Sequence, residues 1–469
     1  MRLVVAVLAL LAVPLHAQIS ESVEVHVLEV EATVVDRNGK TVSDLTQADF
    51  AVEVAGKPAE ITNFFAVRRG VVDDNDPSTP ERVIPSRISI FVDDMHLHPV
   101  AKANAMKALR QYIENKLDPN ATTALVRWSG SLKMIVPPTR DKAKLLAGVK
   151  EMSKDPGRLA DLEHDIEFLT LIAEVQDVNA FPDYMRMLSV QSSHTMEGLT
   201  EIVQSMAGLT GRRTVLFIGQ GLPVARRVAL DGLIASAQKA GVMISALDPT
   251  VGHEERSNAT DALQYFARET GGKLVRNQND LGRALDAITE EASTYYSLGV
   301  RAPSAGNAVD VVVKLRNRPE LRVVTAGKRG VPSAEERLAS SVRSRLYSRE
   351  QENPLKVMVA LVPPRKQQDR CVLTFQIGVP ASELTLIPTG EASKGELAVR
   401  YAILDNADGE SNVQSTVKEV WPLPKEIVRE TVSFGVQAGR RYVLSVAVTD
   451  GVSQETSYLQ TEVDAGGCR

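Results

Sequence analysis

The chain has 469 residues, which is longer than one ordinary hydrophobic core and predicts two or three domains. Its formal net charge is -5, both signs are abundant, and aromatic residues make up only 4%. Mixed charge and few aromatic side chains argue against nucleic-acid binding, which relies on basic surfaces and often on base stacking. The composition therefore predicts a multidomain protein that does not bind nucleic acid.

The first 17 residues are typical of a secretory signal peptide, because Arg2 precedes an apolar run that ends at Ala17. This run is short for a membrane span, so we expect an exported chain without a span after signal removal. The destination is the periplasm, the cell envelope or the medium. Export leaves two states open for the only cysteines, Cys371 and Cys468: a disulfide, or two unpaired thiols.

Residues 18–70 alternate between apolar and polar side chains, which predicts an N-terminal β module. Asn38-Gly39 within it is a strong hairpin-turn signal. Residues 71–86 contain an acidic run from Asp73 to Pro80 that interrupts this periodicity. Acidic, proline-containing runs are typical of linkers and exposed loops, so we interpret 71–86 as a linker.

Strands and helices alternate across residues 87–303, the central unit of the chain. Arg87 to Val92 is a short apolar run that ends at two carboxylates and leads into a helical segment from Pro99. Further apolar strands follow, and Tyr295 to Val300 is expected to complete the unit. Repeated strand–helix units with continuous apolar strands predict a doubly wound, mostly parallel sheet that is covered by helices on both faces.

The remaining chain returns to β structure after a short connector. Residues 304–350 hold short strands and a helix, whose start is marked by the capping-box pattern from Ser333 to Glu336. Residues 351–469 contain five or more strand-like runs separated by turn residues. That spacing predicts a C-terminal β-sandwich.

Several short motifs together resemble a known family. They are Val35-Asp36-Arg37-Asn38-Gly39-Lys40 with Asp49-Phe50, Phe91-Val92-Asp93-Asp94, Gly211-Arg212-Arg213-Thr214-Val215-Leu216-Phe217 with Gly221-Leu222-Pro223, and Tyr295-Tyr296-Ser297-Leu298-Gly299. On these residues, the region 87–300 resembles a von Willebrand factor type A domain. The whole chain is similar to the secreted VWFA-related domain proteins of acidobacterial type.

The resemblance implies a metal site at the carboxyl edge of the sheet, because type A domains bind a divalent cation there. The family's ligands are an Asp-x-Ser-x-Ser loop, a threonine and a second aspartate. Asp93 matches the first aspartate, but Met95 and Leu97 stand where the serines should be, and Gln220 replaces the second aspartate. Thr195 either matches the threonine or lies inside a helix. Hard cations need several oxygen ligands, so we expect a degenerate site and no cofactor, with weak Mg²⁺ or Ca²⁺ binding as the alternative.

Two further interpretations apply to the same edge. Asp93, Asp94, His96 and His98 offer a ligand set that suits a transition metal. The alternative, which we favour, is an exposed polar loop in which Asp94 caps the following helix. The chain contains no Gly-x-Ser-x-Gly, His-Glu-x-x-His or phosphate-loop motif, so we expect that it is not an enzyme.

These observations predict an exported, non-catalytic interaction scaffold that docks an unidentified protein partner at the carboxyl edge. Loops on a rigid sheet commonly carry recognition, so Asp93, Asp94, His96 and Gln220 are the expected partner-binding residues. Two alternatives stay open: an adhesin that depends on a divalent cation, and a structural envelope component without a ligand at this edge.

Overall fold

The structure is a computed structural model of the chain. It describes residues 27–73, 82–155, 180–222, 228–250, 257–276, 281–302, 306, 308–348, 351–367, 370–389, 392–405, 411–420 and 426–468. The signal peptide, residues 74–81 of the predicted linker and a helical stretch that the apolar pattern predicts around residues 159–175 lie outside these described residues. Val71–Asp73, which the sequence assigns to the linker 71–86, is instead a strand that pairs with Ile61–Arg68. The described part is a mixed α/β protein with more strands than helices.

A six-stranded sheet forms the centre of residues 87–275. Its strands are β6 (Arg87–Asp93), β7 (Thr122–Trp128), β8 (Leu132–Thr139), β9 (Arg213–Ile218), β10 (Val242–Leu247) and β11 (Leu274–Val275). The strand order is β11-β10-β9-β6-β7-β8, and every pair is parallel except β7 with β8. The central strands are buried throughout, as continuous apolar runs predict.

Six helices accompany this sheet. They are α1 (Pro99–Asn115), α2 (Lys142–Met152), α3 (Ala180–Met206), α4 (Val228–Ala240), α5 (Ser257–Glu269) and α6 (Leu281–Ser293). Leu109 of α1, Leu145 of α2 and Leu285 of α6 belong to one core cluster. Residues of α3, α4 and α5 form a second cluster with other strand residues such as Phe91 and Phe217. Each helix therefore buries its apolar stripe against the sheet.

The N-terminal β module consists of two sheets around one core. Its strands are β1 (Val27–Val35), β2 (Phe50–Val54), β3 (Lys57–Ala59), β4 (Ile61–Arg68), β5 (Val71–Asp73), β12 (Tyr295–Arg301), β13 (Ala308–Leu315), β14 (Arg322–Val324) and β15 (Lys328–Gly330). One sheet has the order β14-β1-β12-β4-β5 and the other β15-β13-β2-β3. Phe50, Tyr296 and Val311 lie in the core between them.

The strand Tyr295–Arg301 is a correction to the sequence-based expectation, which assigns it to the central unit. It pairs antiparallel with β1 on one side and with β4 on the other, so it lies in the β module. The hydroxyl of Tyr296 accepts a hydrogen bond from the Leu45 amide at 3.0 Å and donates one to the Val42 carbonyl at 3.0 Å. Strands that precede and strands that follow the central parallel sheet in the sequence thus complete one β unit.

The C-terminal part has two antiparallel sheets that share a core. Its strands are β16 (Met358–Gln367), β17 (Arg370–Pro380), β18 (Ile387–Thr389), β19 (Ala392–Asp405), β20 (Ser411–Val420), β21 (Ile427–Val436), β22 (Arg441–Asp450) and β23 (Thr456–Asp464). Helix α7 (Ala334–Tyr347) begins with the expected capping box and packs on one sheet through Val342 and Leu346. A disulfide joins Cys371 to Cys468, with 5.9 Å between their Cα atoms.

None of the helices in the described ranges combines the length and the apolar character that crossing a membrane requires.

Candidate functional site at the carboxyl edge of the parallel sheet

Asp93 is the last residue of β6, and the four residues after it lead into the N-cap of α1, His98. Gln220 follows β9, the neighbouring parallel strand. The carboxyl ends of parallel strands meet at one edge, so the topology brings these residues together as the sequence predicts. The charged side chains of this edge are, however, not exposed at the surface.

Asp93 is fully buried and bonded within its own loop. One carboxylate oxygen accepts a hydrogen bond from the Met95 amide at 3.1 Å, and the other lies 2.7 Å from Nδ1 of His96. His96 is itself buried, 6% exposed, which corrects the expectation of an exposed loop histidine. Burial alone would lower the pKa of His96, but the charge and hydrogen bond of Asp93 outweigh it and raise that pKa. Nε2 of His96 has no hydrogen-bond partner among the described residues.

Asp94 is also fully buried, and two cations hold it. One of its oxygens accepts from Nζ of Lys102 at 2.9 Å and from Nε of Arg127 at 2.6 Å. Lys102 also donates to the Asp155 carbonyl at 2.6 Å, and Arg127 donates to the Asp155 carboxylate. Burial raises the pKa of Asp94, and the two cations oppose that rise. The residue does not cap α1, because that position belongs to His98.

Gln220 connects the loops that follow three neighbouring strands. Its side-chain oxygen accepts from the backbone amide of His98, and its amide nitrogen donates to the Thr250 hydroxyl at 2.9 Å. Thr250 in turn donates to the Asp248 carboxylate at 2.6 Å, and Asp248 directly follows β10. Gln220 therefore acts as an internal brace between these loops. Like the two aspartates it is buried, so none of the three presents an exposed group to a partner.

Thr195 lies inside helix α3, the second of the two positions that the sequence leaves open. Its hydroxyl donates to the Gln191 carbonyl at 3.2 Å, one helical turn earlier. Leu97, at a serine position of the type A pattern, is buried in the core cluster of α1. Across the described residues, no group of three or more His, Cys, Asp or Glu side chains is placed to hold a metal ion.

Sequence reasoning missed four residues of this edge: Lys102, Arg127, Asp248 and Thr250. Asp248 could have been predicted as an edge residue, because it follows an apolar strand just as Asp94 follows β6. Lys102 and Arg127 had none, since cations on a helix and on a strand are normally solvated. The accessible groups at this edge also differ from the expected ones. The most exposed of the described groups here are the side chain of Val100, 63% exposed, and the turn at Gly130 and Ser131, whereas Met95 and His98 are half-buried.

No protein-family model matches the chain. A 162-residue stretch is 28% identical to mitochondrial ornithine carbamoyltransferase of Aquarana catesbeiana, and it covers 34% of this chain and 41% of that protein. The chain thus spans less than half the length of this relative.

The solved structures that resemble this chain have low sequence identities and low TM-scores. An aerotolerance-related membrane protein of Bacteroides fragilis has 13% identity and a TM-score of 0.28, over 44% of this chain and 98% of that one. BatB of Bacteroides thetaiotaomicron has 15% identity and a TM-score of 0.27, with the same coverage. The pilus adhesin SpaC of Lactobacillus rhamnosus GG has 9% identity and a TM-score of 0.28, over 88% of this chain and 60% of that one. At these values the similarities assign neither a family nor a function.

Proposed function

We propose that the protein is an exported, non-catalytic protein-interaction scaffold whose central unit is a doubly wound, von Willebrand factor type A-like domain. One observation carries the proposal: each of the two edge carboxylates is already bonded to cationic or imidazole side chains of the same chain, although Oδ1 of Asp94 has no hydrogen-bond partner among the described residues. Asp93 is hydrogen-bonded to His96, and Asp94 is bonded to Lys102 and Arg127. A cation-dependent type A domain keeps such carboxylates for its metal, so we propose that this one docks partners without a metal.

The proposal of a non-catalytic role is supported by what surrounds the Asp93–His96 pair. A histidine and the carboxylate that orients it are two members of a catalytic triad. The third member is a nucleophile within hydrogen-bond distance of the other ring nitrogen. In the described part of the chain, Nε2 of His96 has no such neighbour and is buried. We therefore assign the pair to holding the loop in shape.

The docking face that we propose is made of the exposed groups around the buried network. Val100 lies in the first turn of α1 and the Ser129–Ser131 turn follows β7, so both frame the loop after β6. The buried hydrogen bonds of Asp94 and Gln220 would fix the positions of these groups, which reduces the entropy lost on binding. Residues 1–17 support the exported location of this face.

Thermal unfolding with EDTA and then with Mg²⁺, Mn²⁺ or Ca²⁺ tests the metal-free part of the proposal. A cation that bound only the native state would raise the unfolding midpoint by mass action. Because we propose that none binds, we expect the same midpoint in all four conditions. Asp93→Asn is the informative variant, and Asp231→Asn, an exposed carboxylate on α4, is the matched control. A saturable rise that Asp93→Asn abolishes and Asp231→Asn retains would favour the cation-dependent adhesin instead.

Site-specific photo-crosslinking in producing cells tests the docking face. A crosslinker at Val100 is compared with one at Val312 of the β module and one at Leu361 of the C-terminal part, both similarly exposed apolar positions at 43% and 42%. We expect a discrete crosslinked partner from Val100 only. Discrete products from Leu361 or Val312 and none from Val100 would favour the structural envelope component without a ligand at this edge.

A further inference from the structure

The opposite end of the parallel sheet contains a cavity of about 490 Å³. Arg213, the first residue of β9, and Gly241, which precedes β10, line it, so the cavity lies at the amino edge. The start of β1, β15 and helices α3, α4 and α7 supply the other walls. Six residues of β9 separate it from the carboxyl edge, about 17 Å along the strand. It is therefore distinct from the proposed docking face.

The lining carries an excess of positive charge. Among the described residues that line the cavity, five are cationic and two are carboxylates: Arg213, Lys239, Arg329, Arg337 and Arg343 against Glu29 and Glu336. Both carboxylates already have partners. Glu336 accepts from Lys239 at 2.7 Å and from the Ser333 amide at 3.0 Å, and Glu29 accepts from the Ser297 hydroxyl at 2.7 Å.

Arg329 is the clearest case of a buried cation with unused hydrogen-bond donors. Its side chain is 7% exposed, and its guanidinium makes no hydrogen bond to any described residue. The closest carboxylate oxygen, on Glu31, lies 3.7 Å away, beyond normal hydrogen-bond distance. Burial lowers the pKa of Arg329, and the positive charges of Arg213 and Arg212 lower it further against the opposing effects of Glu31 and Glu29. An arginine does not lose its proton in a protein, so its donors remain available for oxygen acceptors.

Two more guanidinium groups have unused hydrogen-bonding capacity. In Arg213 and Arg343, as in Arg329, the buried Nε has no partner among the described residues. Gly241 keeps the space beside two of them open. A Cβ at this position would lie 2.8 Å from a nitrogen of Arg213 and 3.6 Å from one of Arg329, so a side chain would intrude between neighbouring guanidinium groups. Gly241 also has a φ of 63°, which favours glycine.

We propose that this cavity binds a small organic anion, whose carboxylate or phosphate oxygens accept hydrogen bonds from Arg213, Arg329 and Arg343. Guanidinium groups match the geometry of both oxyanions, and a cavity of this volume is in the range of small-molecule sites, roughly 300–1,000 Å³. Val27, Leu28, Val331 and Pro332 also line the cavity and provide apolar contacts for a carbon skeleton. The ligand would supply the oxygen acceptors that these guanidinium groups lack within the fold.

Titration calorimetry on the whole mature chain tests the proposal, with citrate and with pyrophosphate as probes at constant ionic strength. We expect saturable one-to-one binding of at least one probe. Citrate alone would identify a carboxylate ligand, and pyrophosphate alone a phosphate ligand. Arg329→Met and Arg343→Gln should each weaken binding at least tenfold, which corresponds to about 1.4 kcal/mol per variant.

Arg110→Gln is the matched control, because it removes one positive charge from an exposed position on α1 and should bind like the parent chain. Arg343 is only partly buried, so its variant keeps the test valid if Arg329→Met does not fold. The proposal is overturned if neither probe saturates at millimolar concentration. It is also overturned if Arg110→Gln loses as much affinity as the cavity variants, since the loss would then follow from the net charge of the chain and not from contacts in the cavity.

Discussion

Replacing Asp94 with asparagine is the most direct perturbation of the carboxyl edge. The carboxylate is 1% exposed, and its two cationic partners, Lys102 and Arg127, are 3% and 19% exposed. Breaking a buried ion pair by removing one partner typically costs about 3–5 kcal/mol, because the other charge stays buried and uncompensated. Arg127 keeps its bond to the Asp155 carboxylate, whereas Lys102 keeps only the Asp155 carbonyl. We therefore expect Asp94→Asn to lower the free energy of unfolding by about 3 kcal/mol.

A second substitution separates the charge effect from lost packing. In an Asp94→Asn background, Lys102→Met removes the uncompensated ammonium and keeps an unbranched apolar side chain. We expect the double variant to be more stable than Asp94→Asn alone, a coupling of more than about 1 kcal/mol in a double-mutant cycle. Burial raises the pKa of Asp94, which offsets part of the ion-pair loss and is why we expect about 3 kcal/mol for Asp94→Asn and not more.

Fluorescence can report this edge selectively during urea unfolding. Trp128 is buried, and its carbonyl accepts the Asp94 amide at 2.8 Å, so its emission follows the local transition. Trp421→Phe removes the second tryptophan of the chain. A loss below about 1 kcal/mol for Asp94→Asn, or no recovery in the double variant, would refute the argument that the two cations replace a metal here.

Three further predictions concern pH, the disulfide and two glycines. The pKa of His96 is raised above 6.5, so its stabilising contribution is present at lower pH and lost as pH rises through the folded pKa; His96→Gln should flatten that part of a stability–pH profile. Cys371→Ser should lower the free energy of unfolding of the C-terminal part by up to about 4–5 kcal/mol, as measured by denaturant unfolding, because the disulfide closes a loop of 97 residues. As a control, reducing buffer should cause the same loss in the parent chain and have no effect on the variant. Gly211→Ala should cost more than about 2 kcal/mol, because φ is 83° and a Cβ would lie 2.2 Å from a backbone oxygen. Gly232→Ala, in helix α4 with open space around it, should stabilise by about 0.5–1 kcal/mol, and equal effects of the two alanines would contradict this reasoning.

Local pattern predicted most of the strands and helices, with exceptions such as the strand Val71–Asp73, but not which sheet each strand joins. Tyr295–Arg301 illustrates the limit. Its apolar run fits either the parallel sheet or the β module, and only its pairing with residues about 230 and 265 positions earlier decides between them. Register across such distances depends on the assembled core, which periodicity along the chain does not encode.

The carboxyl edge shows the same limit for charge. Asp93 was predictable because a strand that ends at a carboxylate signals the sheet edge. The burial of the carboxylates could not be predicted, because a charge is buried only where it has a partner. The partners Lys102 and Arg127 lie on a helix and a strand whose cationic side chains, taken separately, are expected to be solvated. The resemblance to type A domains pointed to this edge, and the departures at Met95, Leu97 and Gln220 are the basis for the prediction of a degenerate metal site there.

Pairing of buried charge distinguishes the two ends of the sheet and decides where a ligand is needed. At the carboxyl edge, Asp94 has two cations within hydrogen-bond distance, so a cation from solution would have to displace them. At the amino edge, the guanidinium of Arg329 lies 3.7 Å from the Glu31 carboxylate, its Nε has no hydrogen-bond partner among the described residues, and Arg213 places a like charge beside it. An anion there would use donors that the fold leaves free, and unused donors on a buried charge are costly. We therefore expect the edge that resembles a metal site to bind ligands more weakly than the edge that carries no motif.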